Sequence, residues 1–272
     1  MEYRMMHDSM GEVRVPADRL FGAQTARSLE NFKIGSDRMP TAVIRAFALL
    51  KRAAATANAR LLPERMTEEK CAAITRVCDE IAAGELSEEF PLVVFQTGSG
   101  TQTNMNVNEV ISGRAAVLAG RPLLHPNDDV NMSQSSNDTF PTAMRLAAVS
   151  ETKARLLPAL DEMIAALLLL EEKNRGIVKS GRTHLQDATP IAFSQEISGW
   201  RASLTRDREA IAASLTALSD LAIGGTAVGT GLTAPRGFGE AVAAELTALT
   251  GHPFRADGNK FSALTSLAPF VT

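Results

Sequence analysis

Two long stretches of helical hydrophobic periodicity constrain the fold of this chain more than any other feature. One runs from about Pro141 to Arg175 and the other from about Pro190 to Ala222. In the second stretch, apolar residues recur at steps of three, four or seven, as in the seam between packed helices. These residues are Phe193, Ile197, Trp200, Leu204, Ile211, Leu215 and Leu218. Each helix would be roughly 50 Å long, which is longer than a small domain needs. We therefore predict a helical bundle that is shared with other subunits.

Prolines and glycines suggest where these two helices begin and end. Pro141 and Pro190 fit the first turn of each helix, where the missing N–H is not needed. Gly176 and Gly224 fit the two ends, because glycine readily ends a helix. Pro158 is expected to kink the first helix.

The first half of the chain contains shorter helical patterns. The first forty residues are predicted to be irregular, with short pieces such as Val13–Pro16. One helix is expected from Thr41, and a second from the N-cap Thr67 to Gly84. A third is expected from about Asn104 to Leu118. The predicted buried stripe of the second helix consists of Ile74, Val77, Cys78 and Ile81.

The last part of the chain follows a Gly- and Thr-rich connection from Gly224 to Gly239. A helix is expected from about Gly237 to Thr250, and another begins at Lys260 and reaches Thr272 without a capping residue. That last helix is expected to be cut off. Only 5% of the residues are aromatic, so the core must be built mainly from Ala, Leu, Val and Ile, a composition that suits packed helices.

Charge and composition exclude several functional classes. The net charge is −3, which does not favour a nucleic-acid or anionic-membrane surface. The apolar runs are too short to span a bilayer, and a secretory signal pattern is absent. Cys71 and Cys78 are seven positions apart on one helical face, too far apart to bridge, and are interpreted as buried thiols in a reducing compartment. We expect a soluble, cytoplasmic protein.

The first segment that could carry chemistry is the polar run from Thr97 to Asn106, which joins hydroxyls and amides through Gly98 and Gly100. Glycines let backbone N–H groups converge, and a helix N-terminus adds partial positive charge, so this pattern is typical of an anion site. A Ser/Thr-capped turn is the structural alternative. The segment is not a nucleophile elbow, because Thr97 stands where the first glycine of that motif is required.

The second segment is the run from His125 to Asp138, which is crowded with side chains able to bond amides or carboxylates. His125 with Asp128 and Asp129 could suggest a metal, but a second His or Glu at ligand spacing is lacking. A helix-capping loop is the stronger alternative, which would explain Asp138 or Thr139 before Pro141 but not the whole run. We therefore predict no metal here.

The third segment, from Gly181 to Pro190, places His184 in a polar connection between the two long helices. Histidine is the side chain best suited to proton transfer near neutral pH, although a solvated loop histidine is the simpler alternative. Neither nucleotide-binding glycine motif occurs in the chain. Taken together, the three segments favour recognition of a small carboxylate and acid–base chemistry on it, without a cofactor.

These segments, in this order, resemble the class II fumarate hydratases of the aspartase/fumarase superfamily. The resemblance covers essentially the whole chain, from Asp-Ser-Met-Gly at 8–11 and Gly-Ala-Gln-Thr at 22–25 to Asn-Lys-Phe at 259–261. Aspartate ammonia-lyases usually carry Gln where this chain has His184. They also carry Ser-Thr-Asn-Asp where this chain has Ser-Ser-Asn-Asp at 135–138. Both differences favour the fumarase type.

The resemblance implies a mainly α fold, with an N-terminal mixed domain at residues 1–136 and a central long-helix bundle at 137–272. It also implies that the C-terminal part of the fold is missing from this chain. In the family the central helices assemble a homotetramer, and each active site draws residues from three subunits. The expected partners are therefore the other subunits and a dicarboxylate substrate, fumarate or L-malate.

The resemblance also implies roles for individual residues. His184 corresponds to the catalytic histidine, and the residues expected to bind substrate are Ser99, Gly100, Thr101, Ser135, Ser136, Asn137 and Thr183. The residues that match a second dicarboxylate site are His125, Pro126, Asn127 and Asp128. In the family, water adds reversibly and in the anti sense to fumarate, a reaction of the tricarboxylic acid cycle. The enzyme must stabilise an aci-carboxylate, and one preorganised donor is worth about 3 kcal/mol.

Two departures from the family pattern limit this expectation. The family segment Gly-Ser-Ser-x-Met-Pro-x-Lys-x-Asn, which supplies the loop serine thought to act as base, is absent from these residues and is expected beyond Thr272. The carboxylate that partners the catalytic histidine is expected there too. Pro122 stands where relatives carry a basic residue, although Arg121 is adjacent.

Two alternatives remain open at this point. An aspartase-like lyase would release ammonia from aspartate. A catalytically incomplete binding or assembly fragment on the same scaffold would bind dicarboxylates and form tetramers without turnover.

Overall fold

The computed structural model describes residues 2–8 and 10–271, so Ser9 and Thr272, named above, lie outside the described residues. The described chain divides into two compact units. The first unit comprises the residues up to Ala148 together with Leu218–Val271, and the second comprises Val149–Ala217. The predicted domain boundary between residues 136 and 137 falls in the first turn of a helix and stays a prediction.

The elements follow one another along the chain with helices predominating. The first part contains β1 (Tyr3–Asp8), β2 (Gly11–Pro16), α1 (Ala23–Asn31), α2 (Thr41–Leu61), α3 (Glu68–Ala83), α4 (Thr101–Ala119) and α5 (Ser136–Glu151). The second unit then holds α6 (Leu157–Lys173), β3 (Val178–Thr183), β4 (Gln186–Ala192) and most of α7 (Phe193–Leu218). The chain continues with β5 (Asp220–Leu221), α8 (Phe238–Thr250), β6 (Arg255–Ala256) and α9 (Lys260–Thr265).

The prediction of an irregular N-terminal segment was wrong. β1 and β2 form an antiparallel hairpin in which Tyr3 pairs with Pro16 and Asp8 with Gly11. The hairpin buries Val13 and Val15, while the alternate residues carry polar side chains toward solvent. Two strands of six residues with so few apolar positions give only a weak alternation in the sequence.

A single carboxylate from α4 caps the N-terminus of α1. The Glu109 side chain accepts the backbone N–H groups of Gly22 at 2.9 Å, Gln24 at 2.8 Å and Thr25 at 3.0 Å, and also the Thr25 hydroxyl at 2.7 Å. A Cβ at Gly22 would lie 2.9 Å from the Glu109 Cδ, so the close approach requires glycine. Since a helix N-terminus leaves backbone donors unpaired, this contact stabilises α1 and fixes it to α4.

The helices predicted from Thr41 and Thr67 are confirmed. α2 is the centre of the first unit and packs against α3, α4 and α8. The Thr67 side chain accepts the N–H of Lys70 at 3.4 Å, and Gly84 ends α3 with a φ of 86°. The predicted stripe of α3 is buried as expected. This helix could be predicted from sequence because both its caps and its periodicity are local signals.

For the helices near the C-terminal end of the described chain, the predicted bounds agree less well with the structure. α8 spans Phe238–Thr250 and ends at Gly251, as predicted. α9 begins at Lys260 as predicted, but it ends at Thr265 and a short 3-10 turn follows at Ala268–Phe270. The expectation that this helix continues to the end of the chain was therefore wrong.

Both prolines expected in the first turns of the long helices lie elsewhere. The first helix starts at Ser136, so Pro141 is its sixth residue, and a π-helical turn at Thr152–Leu156 joins α5 to α6 just before Pro158. Pro190 lies in β4, where it pairs with Ser180. A proline at a helix start and one in a two-stranded hairpin look alike in sequence, since both tolerate the missing N–H.

The seam predicted along α7 is only partly buried within this chain. Ile197, Leu215 and Leu218 are buried, whereas Trp200 is 53% exposed. Further exposed apolar side chains of the second unit are Met163, Leu168, Leu169, Leu170, Ile177 and Val178. Oligomerisation through these helices stays a prediction.

Cys78 is buried and Cys71 is half-buried, and both are free thiols. The expectation that both are buried therefore holds for Cys78 alone.

Among the described residues, the helices are either too short or too polar to cross a bilayer.

Candidate functional site

The first two polar segments meet at the N-termini of α4 and α5 in the first unit. The segment at 97–106 forms a turn and the beginning of α4, which starts at Thr101, three residues before the predicted Asn104. The segment at 125–138 forms a π-helical turn, Pro126–Val130, and then the first turn of α5. Two helix N-termini, each with unpaired backbone donors, are suited to binding an anion.

Gly100 shapes the contact between these two helices. It is buried, caps α4 with a φ of 69°, and lies so close to α5 that an added Cβ would be 2.2 Å from the Phe140 Cδ2. Both the positive φ and the lack of space exclude a side chain. The helix therefore starts earlier than predicted, because the left-handed Gly100 turns the chain directly into it.

The turn before α4 is held by side chains that are close in sequence. The hydroxyl oxygens of Ser99 and Thr101 are 2.8 Å apart. The Gln96 Oε1 accepts the backbone N–H of Thr103 at 2.9 Å and its hydroxyl at 3.0 Å. Gln96 thus satisfies a donor at the start of α4 and leaves Ser99 exposed to solvent.

A capping box opens α5. The Ser135 Oγ accepts the N–H of Asn137 at 3.2 Å, and the Asp138 Oδ1 accepts the N–H of Ser135 at 2.9 Å. The capping alternative was predicted at Asp138 or Thr139, before Pro141, and the cap is instead Ser135, because the helix already starts at Ser136. The Asn137 side chain donates to the Ala227 carbonyl at 2.7 Å, so it joins α5 to the Gly/Thr-rich connection.

Asp138 fixes this connection from the other side. Its Oδ2 accepts the N–H groups of Gly224 at 3.0 Å and Thr226 at 2.8 Å. The side chain is fully buried, and this burial raises the pKa of Asp138, while the N–H donors from Ser135, Thr226 and Gly224 oppose that rise. The carboxylate thus orders both α5 and the start of the connection.

A cleft of about 780 Å³ lies at this junction, and we call it the Ser99–Asn137 cleft after the polar side chains that α5 and the turn before α4 contribute to it. Gly98 lines the same rim. The rest of the lining is largely apolar and comes from α5, the connection and the last helix: Phe140, Pro141, Met144, Ala227, Val228, Phe261, Leu264, Thr265 and Leu267. The structure therefore brings Ser99 and Asn137 together, with Gly100 and Thr101 beside them.

Ser136 belongs to a buried polar network behind the cleft. Its Oγ accepts the Asn104 side-chain N–H at 3.0 Å, and the same Asn104 nitrogen donates to the Asn131 Oδ1 at 3.1 Å. Lys51 of α2 donates from its Nζ to the Asn131 Oδ1 at 2.9 Å and to the Gln134 Oε1 at 3.0 Å. Asn104 and Lys51 are fully buried.

The sequence analysis did not identify Lys51. A signal was present, because Lys51 follows the buried Leu50 and is one helical turn from the buried Phe47 in an otherwise apolar stripe. A lysine within such a stripe is rarely fully buried unless it is paired.

Thr183 and His184 lie in the second unit, at the tip of the β3–β4 hairpin. Thr183 pairs with Gln186, so His184 and Leu185 form a two-residue turn. Their φ values are 52° and 63°, as the tight turn of a hairpin with a right-handed twist requires. Both side chains are exposed, and that of Leu185 is 94% exposed. The hairpin thus presents His184 to solvent within this chain.

Of the four residues predicted for a second dicarboxylate site, all except Asp128 border another cleft of the first unit, of about 810 Å³. His125, Pro126 and Asn127 line it together with Arg4 and Arg121. The His125 Nδ1 lies 3.1 Å from an Asp128 carboxylate oxygen. Within the described part of the chain, no group of three His, Cys, Asp or Glu residues is arranged to hold a metal ion.

Comparisons with known proteins identify the family of the chain. The family model described as "Lyase" matches residues 11–271. The class II fumarate hydratase of Bacillus subtilis (strain 168) is 55% identical over 98% of this chain, and that of Campylobacter jejuni is 54% identical over the same share. The crystal structure of a recombinant class II fumarase from Schistosoma mansoni superposes with a TM-score of 0.96 at 41% identity, over 99% of this chain.

The matches cover only part of those relatives. This chain spans 58% of the length of the two fumarate hydratases and 60% of the Schistosoma mansoni chain. Within that shared part, the likeness extends over both units and all three polar segments. The chain therefore belongs to the lyase family, and within that family it resembles the class II fumarate hydratases.

Proposed function

We propose that the protein containing this chain is a fumarate hydratase, which adds water reversibly and in the anti sense to fumarate to give L-malate. The observation that carries the proposal is the meeting of Ser99 and Asn137 on one cleft, at the N-termini of two helices. Exposed hydroxyl, amide and backbone N–H donors in such a position suit the carboxylates of a small dianion.

Ser99, Gly100, Thr101, Ser136 and Asn137 would bind substrate carboxylate from the first unit, and Ser135 would contribute through the cap that it provides. Gly100 contributes its backbone, because its conformation leaves no room for a side chain. These donors would hold the substrate carboxylates, and those next to the carboxylate that becomes the aci-carboxylate would also stabilise its developing negative charge. Loss of one such charge-stabilising donor typically costs about 3 kcal/mol.

Thr183 and His184 would act from the hairpin of another subunit, with His184 holding the reacting water or transferring a proton. Two features support this assignment. Both side chains are exposed within their own chain, and the second unit carries exposed apolar side chains on α6 and α7. Such surfaces mark protein–protein contacts, so we propose a homotetramer with shared active sites.

His125, Pro126, Asn127 and Asp128 would form a second dicarboxylate site outside the active centre. The cleft that His125, Pro126 and Asn127 border contains two arginines, and Arg121 lies next to Pro122, where relatives carry a basic residue. The protein would act in the cytoplasm, in the tricarboxylic acid cycle, without a cofactor.

The proposal is tested by following the ultraviolet absorbance of the fumarate double bond with the native full-length protein. We expect fumarate to be consumed, L-malate to form and no ammonia to be released from aspartate. Ammonia release from aspartate without hydration of fumarate would identify an aspartase-like lyase instead. Binding of dicarboxylates without either reaction would identify a binding or assembly module.

We expect residues 1–272 alone to show little or no hydratase activity, because the family segment that supplies the loop serine is absent from them. Brisk turnover by these residues alone would contradict the assignment of the base to that segment.

A further inference from the structure

Lys51 is an unusual residue in the core of the first unit. Its neighbours in α2 include the fully buried Phe47, Leu50 and Ala54, and Lys51 itself is 0% exposed. Burial lowers the pKa of Lys51 to about 7, although the negative charge of Asp138 on α5 opposes this shift. An apolar side chain of similar volume would avoid this cost. A lysine at this position therefore calls for a role other than filling space.

The hydrogen bonds of Lys51 lead to the first turn of α5. The Nζ donates to the Asn131 Oδ1 at 2.9 Å, and this oxygen also accepts the Asn104 Nδ2 at 3.1 Å. The same Asn104 nitrogen donates to the Ser136 Oγ at 3.0 Å. Because the Ser136 oxygen acts as acceptor in this bond, its own hydrogen can be donated to a carboxylate oxygen.

Two further bonds make the arrangement more rigid. Lys51 donates to the Gln134 Oε1 at 3.0 Å, which holds the residue just before Ser135. The Thr139 hydroxyl donates to the Asn104 Oδ1 at 3.2 Å, so Asn104 is attached to α5 at two points. Lys51 thus acts on both sides of the turn that carries Ser135, Ser136 and Asn137.

We propose that Lys51 is a positioning residue, which through Asn131 and Asn104 orients the Ser136 hydroxyl and the first turn of α5 for binding a substrate carboxylate. The carboxylate-binding part of this inference rests on the proposed function. The positioning part concerns this chain alone and can be measured without any substrate.

The first experiment compares amide hydrogen exchange in the native full-length protein carrying Lys51→Met with that in the unchanged full-length protein. Methionine keeps the length of the side chain and removes its hydrogen bonds. We expect exchange at residues 131–139 to become at least about 10-fold faster, since these residues lose their anchor, with little change in α3. Arg52→Met is the matched control, because Arg52 is the next residue of α2 and its side chain pairs with Asp79 at the surface. It should leave exchange at 131–139 unchanged.

The second experiment measures fumarate hydration by the native full-length protein carrying the same substitutions. Lys51→Met should raise KM for fumarate about 10-fold, as expected for the loss of one charge-assisted hydrogen bond, and change kcat by less than about 3-fold. Ser136→Ala should also raise KM, but by less than about 2-fold when it is added to Lys51→Met, because both changes act on the same contact.

Unchanged exchange at residues 131–139 in a folded Lys51→Met chain would overturn the proposal, and so would full additivity of the two KM effects. Should Lys51→Met fail to fold, Asn131→Ala makes the same test, since Asn131 is only half-buried and its loss breaks the link to Asn104. Absence of hydratase activity in the unchanged full-length protein would refute the proposed function, and the exchange result would still decide whether Lys51 positions the turn.

Discussion

The two regions that carry the candidate site residues differ in how far this chain orders them. In the first unit, the turn around Ser136 is held by the buried Lys51, Asn104 and Asp138. The turn around Ser99 is held by Gln96. At the tip of the hairpin in the second unit, His184 lies in a two-residue turn and its side chain is exposed. The half that is proposed to bind carboxylate is thus preorganised within one chain. The half that would perform proton transfer is only presented to solvent.

The difference between the two units predicts that the stability of the first unit should depend strongly on pH. Burial lowers the pKa of Lys51 from 10.5 to about 7, so between these pH values the unfolded chain binds a proton that the folded chain does not. The free energy of unfolding should therefore rise with pH in this window, relative to Lys51→Met, by roughly 1.4 kcal/mol per pH unit. Below about pH 7 the two chains should respond alike. Urea unfolding at several pH values measures the difference, and parallel curves would contradict the buried, perturbed lysine.

The second region should matter for turnover and little for stability. In the native full-length protein, His184→Asn should reduce kcat by about 100- to 10,000-fold, the range of a lost general acid or base. Asparagine tolerates a positive φ, so the turn and the assembly should persist. Steady-state kinetics and light scattering make the test. Unchanged turnover would remove His184 from the mechanism, and loss of assembly would show that the hairpin has a structural role.

Gly100→Ala should destabilise the first unit directly, at the contact between α4 and α5. The new Cβ would meet Phe140 and adopt a left-handed conformation, which together should lower the free energy of unfolding by about 3 kcal/mol. Gly98→Ala is the control two positions away, because a Cβ there has no atom within 4 Å. It should change stability by less than about 0.5 kcal/mol. Equal effects of the two substitutions would show that α4 and α5 are not packed as described.

The smallest expected effect is at the hairpin tip. Leu185→Gly removes a side chain that is 94% exposed at a φ of 63°, so it should relieve backbone strain. Because glycine also loses more backbone entropy on folding, the net gain should be only about 0.5 kcal/mol. Denaturant unfolding measures it. A clear loss of stability would show that Leu185 has a contact, for example with another subunit.

The sequence predicted elements with local signals better than those whose limits depend on tertiary contacts. α3 was correctly bounded because Thr67 and Gly84 are its own caps. α4 was started too late because the role of Gly100 depends on Phe140, which is forty residues away. Pro190 was misassigned because nothing nearby distinguishes a helix start from a hairpin strand.

The candidate site was predicted as three separate segments, and the resemblance supplied their roles. Local pattern indicated that this run contains a helix cap, but it placed the cap at Asp138 or Thr139 and not at Ser135, because Pro141 was taken to mark the first turn. It could not indicate that Asp138 also holds Gly224, or that Lys51 reaches Asn131, because these pairs are far apart in sequence. Contacts of this kind appear only when the fold brings distant segments together.

The cap that Glu109 provides to α1 has a consequence for dividing this protein into fragments. Its donors come from residues 22–25, yet the carboxylate belongs to the helix that begins at the Ser99–Asn137 cleft. Deleting the N-terminal segment would leave a buried anion without partners inside that helix. A minimal fragment that retains the cleft should therefore keep the first 31 residues, although none of them lines the Ser99–Asn137 cleft.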